Sequence, residues 1–164
     1  MIALKKILVP TDFSEGGDAA VKYGREMAEH FGAEIHLLHV VQDPYRYMGG
    51  VEAIPLSGYD FVNDLQTTAL DKLRTAIPEP AGRFTITSCP IGVPVDEILR
   101  YARDHEIGLI VMGTRGRGAV AHVFLGSVAE RVVRKSVCPV LTVHPLQREV
   151  GRESLATAEL VAAR

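Results

Sequence analysis

The stretch that decides the fold is Leu109-Ile110-Val111-Met112 followed by Gly113-Thr114-Arg115-Gly116-Arg117-Gly118-Ala119-Val120-Ala121-His122-Val123-Phe124-Leu125-Gly126-Ser127. A short apolar run ending in glycine reads as a buried strand, and the sequence after Ser127, with Val128, Val132 and Val133, reads as a helix. Between them the glycines stand in the pattern G-x2-G-x9-G-S. A glycine-rich passage from strand to helix lets backbone N–H groups approach an anion closely, and the helix N-terminus adds a favourable dipole. The stretch is suited to holding a phosphate.

Two common phosphate motifs do not account for it. No Gly-Lys-Ser/Thr follows four residues after a glycine, which excludes a P-loop. Gly116-Arg117-Gly118-Ala119-Val120-Ala121 matches a loose dinucleotide fingerprint, but that motif needs an acid near the end of the next strand, and Thr142-Val143-His144 supplies none. Arg115 and Arg117 lie in a segment without acidic residues, so they either add charge for a phosphate or form a solvated basic loop. Ser127-Val128-Ala129-Glu130 is an S-x-x-E capping box, which needs no ligand yet is compatible with one.

Working outward, Ile7-Leu8-Val9 is another buried-strand run, ending at Pro10-Thr11-Asp12, with Ser14 placed to cap the next helix. Ala20, Gly24, Met27, Ala28 and Phe31 recur at helical spacing and Gly32 can terminate that helix. Glu34 to Val41 reads as the second strand; on it His36 and His39 point to opposite faces, so they are packing residues and not a joint metal site. Gln42 to Tyr59 is a connection longer than usual, of the kind that forms a lid or a disordered segment. A helix over about 60–76 is drawn by Phe61, Leu65, Ala69, Leu73 and Ala76, and Arg83 to Ser88 alternates as a strand near a sheet edge. Gly92 and Pro94 introduce a helix with Asp96 and Glu97 in its first turn and Ile98, Leu99 and Ala102 on one face. The fourth strand covers about 108–112 and the fifth about 140–143.

The 18 basic and 20 acidic residues nearly balance. That excludes a general electrostatic footprint for nucleic acid or an anionic membrane. No apolar run approaches the roughly 18 residues of a membrane span, and the N-terminus lacks the pattern of a signal peptide, so a cytoplasmic protein is expected. Cys89 and Cys138 have no metal-ligand spacing and read as two buried or half-buried thiols, not a disulfide. The alternation βαβαβαβαβ implies an open, doubly wound, five-stranded parallel sheet with helices on both faces, in the α/β class.

Met112-Gly113-Thr114-Arg115-Gly116, Leu125 to Val132 and Cys138 to Val143 together resemble the universal stress protein family, in particular its nucleotide-binding branch. Ile7 to Ser14, Leu37 to Val40 and Gly92 to Ile98 extend the resemblance across residues 5–143 in the family's order. It implies strand order 3-2-1-4-5, which makes strands 1 and 4 neighbours and brings Asp12 beside Gly113 at a topological switch point. It further implies a nucleotide-binding domain over 1–144 and a tail over 145–164, whose weak apolar spacing supports at most a frayed helix.

By the same resemblance the ligand is an adenine nucleotide, ATP, with Mg carried by the triphosphate. Asp12, reached through Pro10 and Thr11, would hold the ribose hydroxyls, and Val40 would meet the adenine through its backbone. Gly113, Gly116, Gly126, Ser127 and Val128 would surround the ribose and phosphates, Met112 is counted among the nucleotide-binding residues, and Arg115 and Arg117 are added on charge. A homodimer pairing through the last strand is implied, with no nucleic acid or membrane partner. No catalytic residue is assigned; His122, the only histidine in the glycine-rich segment, reads as an exposed loop residue. The role expected is a stress-response regulator, the alternatives being a slow ATPase or a protein-interaction module with no nucleotide bound.

Overall fold

The computed structural model describes residues 4–42, 56–77, 85–114 and 125–144, with side chains from residue 61 in the second helix. Arg115, Gly116, Arg117, His122, most of the 42–59 connection, Arg83 with Phe84, and the 145–164 tail lie outside the described residues.

Among the described residues strands and helices alternate: β1 Lys6–Pro10, α1 Glu15–Phe31, β2 Glu34–Leu38, α2 Leu56–Ala76, β3 Thr85–Ser88, α3 Pro94–Asp104, β4 Leu109–Gly113, α4 Ser127–Lys135 and β5 Val140–Val143. All four strand pairings are parallel and the order is β3-β2-β1-β4-β5, as the resemblance implied. Lys6 stands beside Glu34, and Ile7 beside both Ile35 and Leu109, so the central strand is bonded on both edges. Past the strand ends the β2–β3 ladder continues through Val41 N–H to Pro90 C=O and Gly92 N–H to Val41 C=O, each 2.9 Å.

Because strand side chains alternate, β1 divides its apolar run between two cores. Ile7 and Val9 face α1 and α2 with Ile35, Leu37 and Val111; Leu8 faces α3 and α4 with Leu38, Ile110 and Met112. Helices therefore cover both faces, which explains why the central strands are almost continuously hydrophobic. Helix α1 lies so close to β1 that a Cβ at Gly24 would come within 2.5 Å of Val9 Cγ2. Ser14 caps it by accepting from Gly17 N–H, and Gly32 ends it in the left-handed conformation with φ of 62°.

Several local readings need correction. Phe31 is 52% exposed, because the buried stripe of α1 runs through Ala20, Val21, Gly24 and Ala28. Helix α2 begins at Leu56, before the predicted start, and buries Val62, Ala69 and Leu73, with Ile77 buried just past its end, leaving Phe61 and Leu65 largely exposed. Steps of four residues drift around a helix of 3.6 residues per turn, so the stripe 61-65-69-73 leaves the core face where a stripe mixing steps of three and four stays on it. On α4, Ala129 and Val132 are buried and Val133 is exposed. β2 stops at Leu38, so His39 belongs to the loop beyond it. Among the described residues both cysteines are free thiols, and no helix is long and apolar enough to cross a membrane.

Candidate functional site

The carboxyl ends of β1 and β4 meet where the sheet order reverses, and the loop after β1 is held there by several bonds. Thr11 is buried, its N–H donating to Leu38 C=O at 2.8 Å and its Oγ1 accepting Phe13 N–H at 3.0 Å. Asp12 Oδ1 accepts from the Ser14 N–H at 3.2 Å and from the Ser14 hydroxyl. The turn that allows this is made by Phe13, which has φ of 59°. A bulky non-glycine residue in the left-handed region costs about 1–3 kcal/mol and persists only where its surroundings determine it. Phe13 has such surroundings: its ring lies 4.6 Å from that of His39, and Lys72 Nζ from α2 stands 5.4 Å over it. His39 Nδ1 in turn donates to Thr11 C=O at 2.8 Å.

Asp12 leads directly to the other half of the site. A Cβ added at Gly17 would lie 2.6 Å from Thr11 Oγ1 and 3.2 Å from Asp12 Oδ1. One added at Gly113 would lie 2.5 Å from Gly16 O. The first turn of α1 is thus wedged between the Asp12 loop and the end of β4. From Gly113 the chain passes to Thr114, whose N–H donates to Val143 C=O at 2.8 Å and whose carbonyl accepts Gly126 N–H at 2.6 Å. The two residues flanking the segment 115–125 are therefore bonded to each other. Thr114 Oγ1 is also hydrogen-bonded to His144 Nδ1 at 2.9 Å.

The start of α4 differs from the expected capping box. Gly126 is the N-cap and Ser127 the first helical residue, with no side-chain cap bond; Gly126 C=O takes Glu130 N–H at 2.9 Å. Glu130 instead reaches Arg134 at 3.7 Å. Shifting the cap by one residue turns the serine from a cap into a residue of the first turn. Since the first N–H groups of a helix lack intrahelical partners, a glycine cap leaves that turn without a side-chain acceptor from its own cap.

Of the residues singled out from sequence, Asp12, Gly113, Gly126 and Ser127 are joined by this continuous run of contacts, with Thr11 behind them. Pro10 ends β1 in a buried position, Met112 belongs to the core between the sheet and α3 and α4, and the partly buried Val40 and Val128 pack against it. Arg115, Gly116 and Arg117 lie outside the described residues. Phe13 and Thr114 stand within the quoted motifs, but their roles, like that of His39, are not assigned from sequence, because each depends on contacts with distant residues. Among the described residues no group of three or more His, Cys, Asp or Glu side chains could hold a metal ion.

A second polar cluster lies on the α3 side of the sheet. His36, 1% exposed, donates from Nε2 to Glu34 Oε1 at 2.6 Å and meets the Tyr101 hydroxyl at Nδ1 at 2.9 Å. His105 stacks on Tyr101 with centroids 3.8 Å apart. Burial lowers the His36 pKa, opposed by Glu34. His36 is thus the sheet-packing residue expected, with both ring nitrogens satisfied.

Comparison with known proteins agrees with this architecture. The sequence model of the universal stress protein family matches residues 3–144. The universal stress protein MJ0531 of Methanocaldococcus jannaschii is 35% identical over 150 residues, 88% of this chain and 85% of that protein. MJ0577 of the same organism is 31% identical over 155 residues, 87% of this chain and 96% of that one. Its structure superposes with a TM-score of 0.67 at 30% identity, covering 87% of this chain and 97% of the other. A universal stress protein solved in complex with cAMP is 24% identical with a TM-score of 0.59, covering 88% of this chain and 99% of that one, and shares the fold.

Proposed function

The chain belongs to the universal stress protein family, and on that premise we propose that it binds an adenine nucleotide, ATP, at the carboxyl edge of β1 and β4 and acts as a nucleotide-dependent stress-response regulator. The observation that carries the reading is the meeting of three features at one switch point. These are the constrained Asp12 loop, the close approach of Gly113 to α1, and the glycine-capped N-terminus of α4. Open α/β sheets bind ligands at such points, and an N-terminus without a side-chain cap offers donors and dipole to a phosphate. That a member of the family carries cAMP supports the capacity of the fold for an adenine nucleotide.

In this reading Asp12 accepts from the ribose hydroxyls, its carboxylate plane set by Ser14. Thr11 and Pro10 hold the loop, Val40 meets the adenine through its backbone, and Met112 leads the strand into Gly113 at the ribose. Gly113, Gly126, Ser127 and Val128 approach the ribose and phosphates through backbone groups, joined by Gly116 and by Arg115 and Arg117 on charge. A divalent cation would come with the triphosphate, since Mg retains much of its water and is commonly held by substrate phosphates. The protein would pair as a homodimer along β5, where Leu141 is exposed, with Val137 exposed in the loop before it. An apolar sheet edge is one that proteins cover or pair.

Gly126→Val tests the site. The backbone at Gly126, with φ of −67° and ψ of 154°, accepts any residue, so the fold should be retained. A branched side chain at the helix entrance should remove ATP binding in calorimetric titration. Unchanged affinity in the folded variant would overturn the site assignment.

A further inference from the structure

We propose that Phe13 is the positioning residue that aims the Asp12 carboxylate, and that its contacts with His39 and Lys72 tie that orientation to helix α2. The inference rests on the reading of Asp12 as the ribose ligand. It starts from an oddity of residue choice: the backbone at position 13 is left-handed, with φ of 59°, a conformation glycine adopts without cost. The chain instead has phenylalanine, so the ring must return what the backbone loses.

Its contacts say what that return is. Phe13 packs against the core under α1 and α2, close to the His39 ring and beneath Lys72 Nζ. His39 holds Thr11 C=O, and Thr11 Oγ1 holds the N–H of Phe13 itself, so ring and backbone close one circuit around Asp12. The left-handed turn is also what brings the Ser14 N–H and hydroxyl back onto Asp12 Oδ1. A carboxylate with one oxygen fixed by two donors has the direction of the other set as well. Removing the ring frees the turn, and with it the carboxylate, while the glycine-capped entrance of α4 stays as it was.

The test is sugar discrimination, which a general loss of stability would not move selectively. Affinities for ATP and 2′,3′-dideoxy-ATP are measured by calorimetry on the full chain. In the wild type the dideoxy compound should bind about tenfold more weakly, the worth of a charge-assisted hydrogen bond. Phe13→Ala should bring the ratio down to that of Asp12→Asn, within about twofold of unity on the same scale. Phe13→Tyr, which keeps the ring, should retain it. Lys72→Met, on the exposed side of α2, should lower the ratio by about twofold.

A preserved ratio in folded Phe13→Ala overturns the inference while leaving the site reading intact. Absence of ATP binding to the wild type overturns both. An unchanged ratio in Lys72→Met removes the link to α2. Should Phe13→Ala fail to fold, Phe13→Leu decides by the same ratio, since it keeps apolar bulk but neither stacks on His39 nor faces Lys72 as an aromatic ring.

Discussion

Replacing Gly113 by alanine probes a close approach of one backbone to another. The added Cβ would sit 2.5 Å from Gly16 O, 2.6 Å from Gly16 C and 3.1 Å from Gly16 Cα, all backbone atoms of the first turn of α1. No flexible side chain can yield there, so β4 and α1 must separate. Overpacking of this kind costs about 1–3 kcal/mol. Alanine recovers a few tenths to 1 kcal/mol by restricting the unfolded chain. Taking the middle of each range, the net is a destabilisation of about 1.3 kcal/mol, equivalent in a chain of this size to roughly 3–5 °C in Tm. Urea unfolding followed by circular dichroism should show a lower midpoint with an unchanged slope. Gly32→Ala is the contrast: it meets nothing within 4 Å, so any loss there reflects only its φ of 62°. A Gly113→Ala midpoint equal to or above the wild type would refute the tight wedge between β4 and α1.

The buried His36 should make stability depend on pH. Its folded pKa is lowered, chiefly by burial, with Lys6 and His105 acting in the same direction and Glu34 against. Its contribution is therefore fully present above the ordinary value of 6.5 and is lost as pH falls from there through the folded pKa. His36→Gln should flatten this slope in urea titrations from pH 8 to 5, and an identical slope would contradict it. Burial pushes the Cys89 thiol up to about 11, so Ellman titration at pH 8 should find only the half-buried Cys138 in native protein and both thiols in urea. Rapid reaction of two thiols in the folded state would oppose this. Sedimentation at micromolar concentration should give a dimer for the wild type and a monomer for Leu141→Lys, whereas a monomeric wild type would remove the β5 pairing.

Elements governed by local chemistry were readable in the chain. Ile7 to Val9 and Ile110 to Met112 are buried runs because both sheet faces are covered, and Ser14 and Gly32 bracket α1 by capping rules that act over a few residues. Asp12 and Gly113 were brought together by strand order, which came from resemblance and not from periodicity. Misreadings arose where two local rules compete. Ser127 satisfies the capping box, but Gly126 C=O already accepts Glu130 N–H, and Gly126 N–H is tied to Thr114 C=O, so the helix starts one residue earlier. Phe61 satisfies a four-residue stripe, but α2 lies on the sheet through Val62. The left-handed Phe13 and the His36–Tyr101 pair, 65 residues apart, depend on tertiary contacts that no window of sequence contains.

The central claim is tested most directly by denaturing freshly purified protein, identifying any released nucleotide by chromatography, and titrating the emptied protein with ATP and AMP, with and without magnesium. Saturable ATP binding that weakens in Asp12→Asn is the predicted result. No binding of either nucleotide under any of these conditions would contradict the account and leave the glycine pattern as a feature of the fold alone.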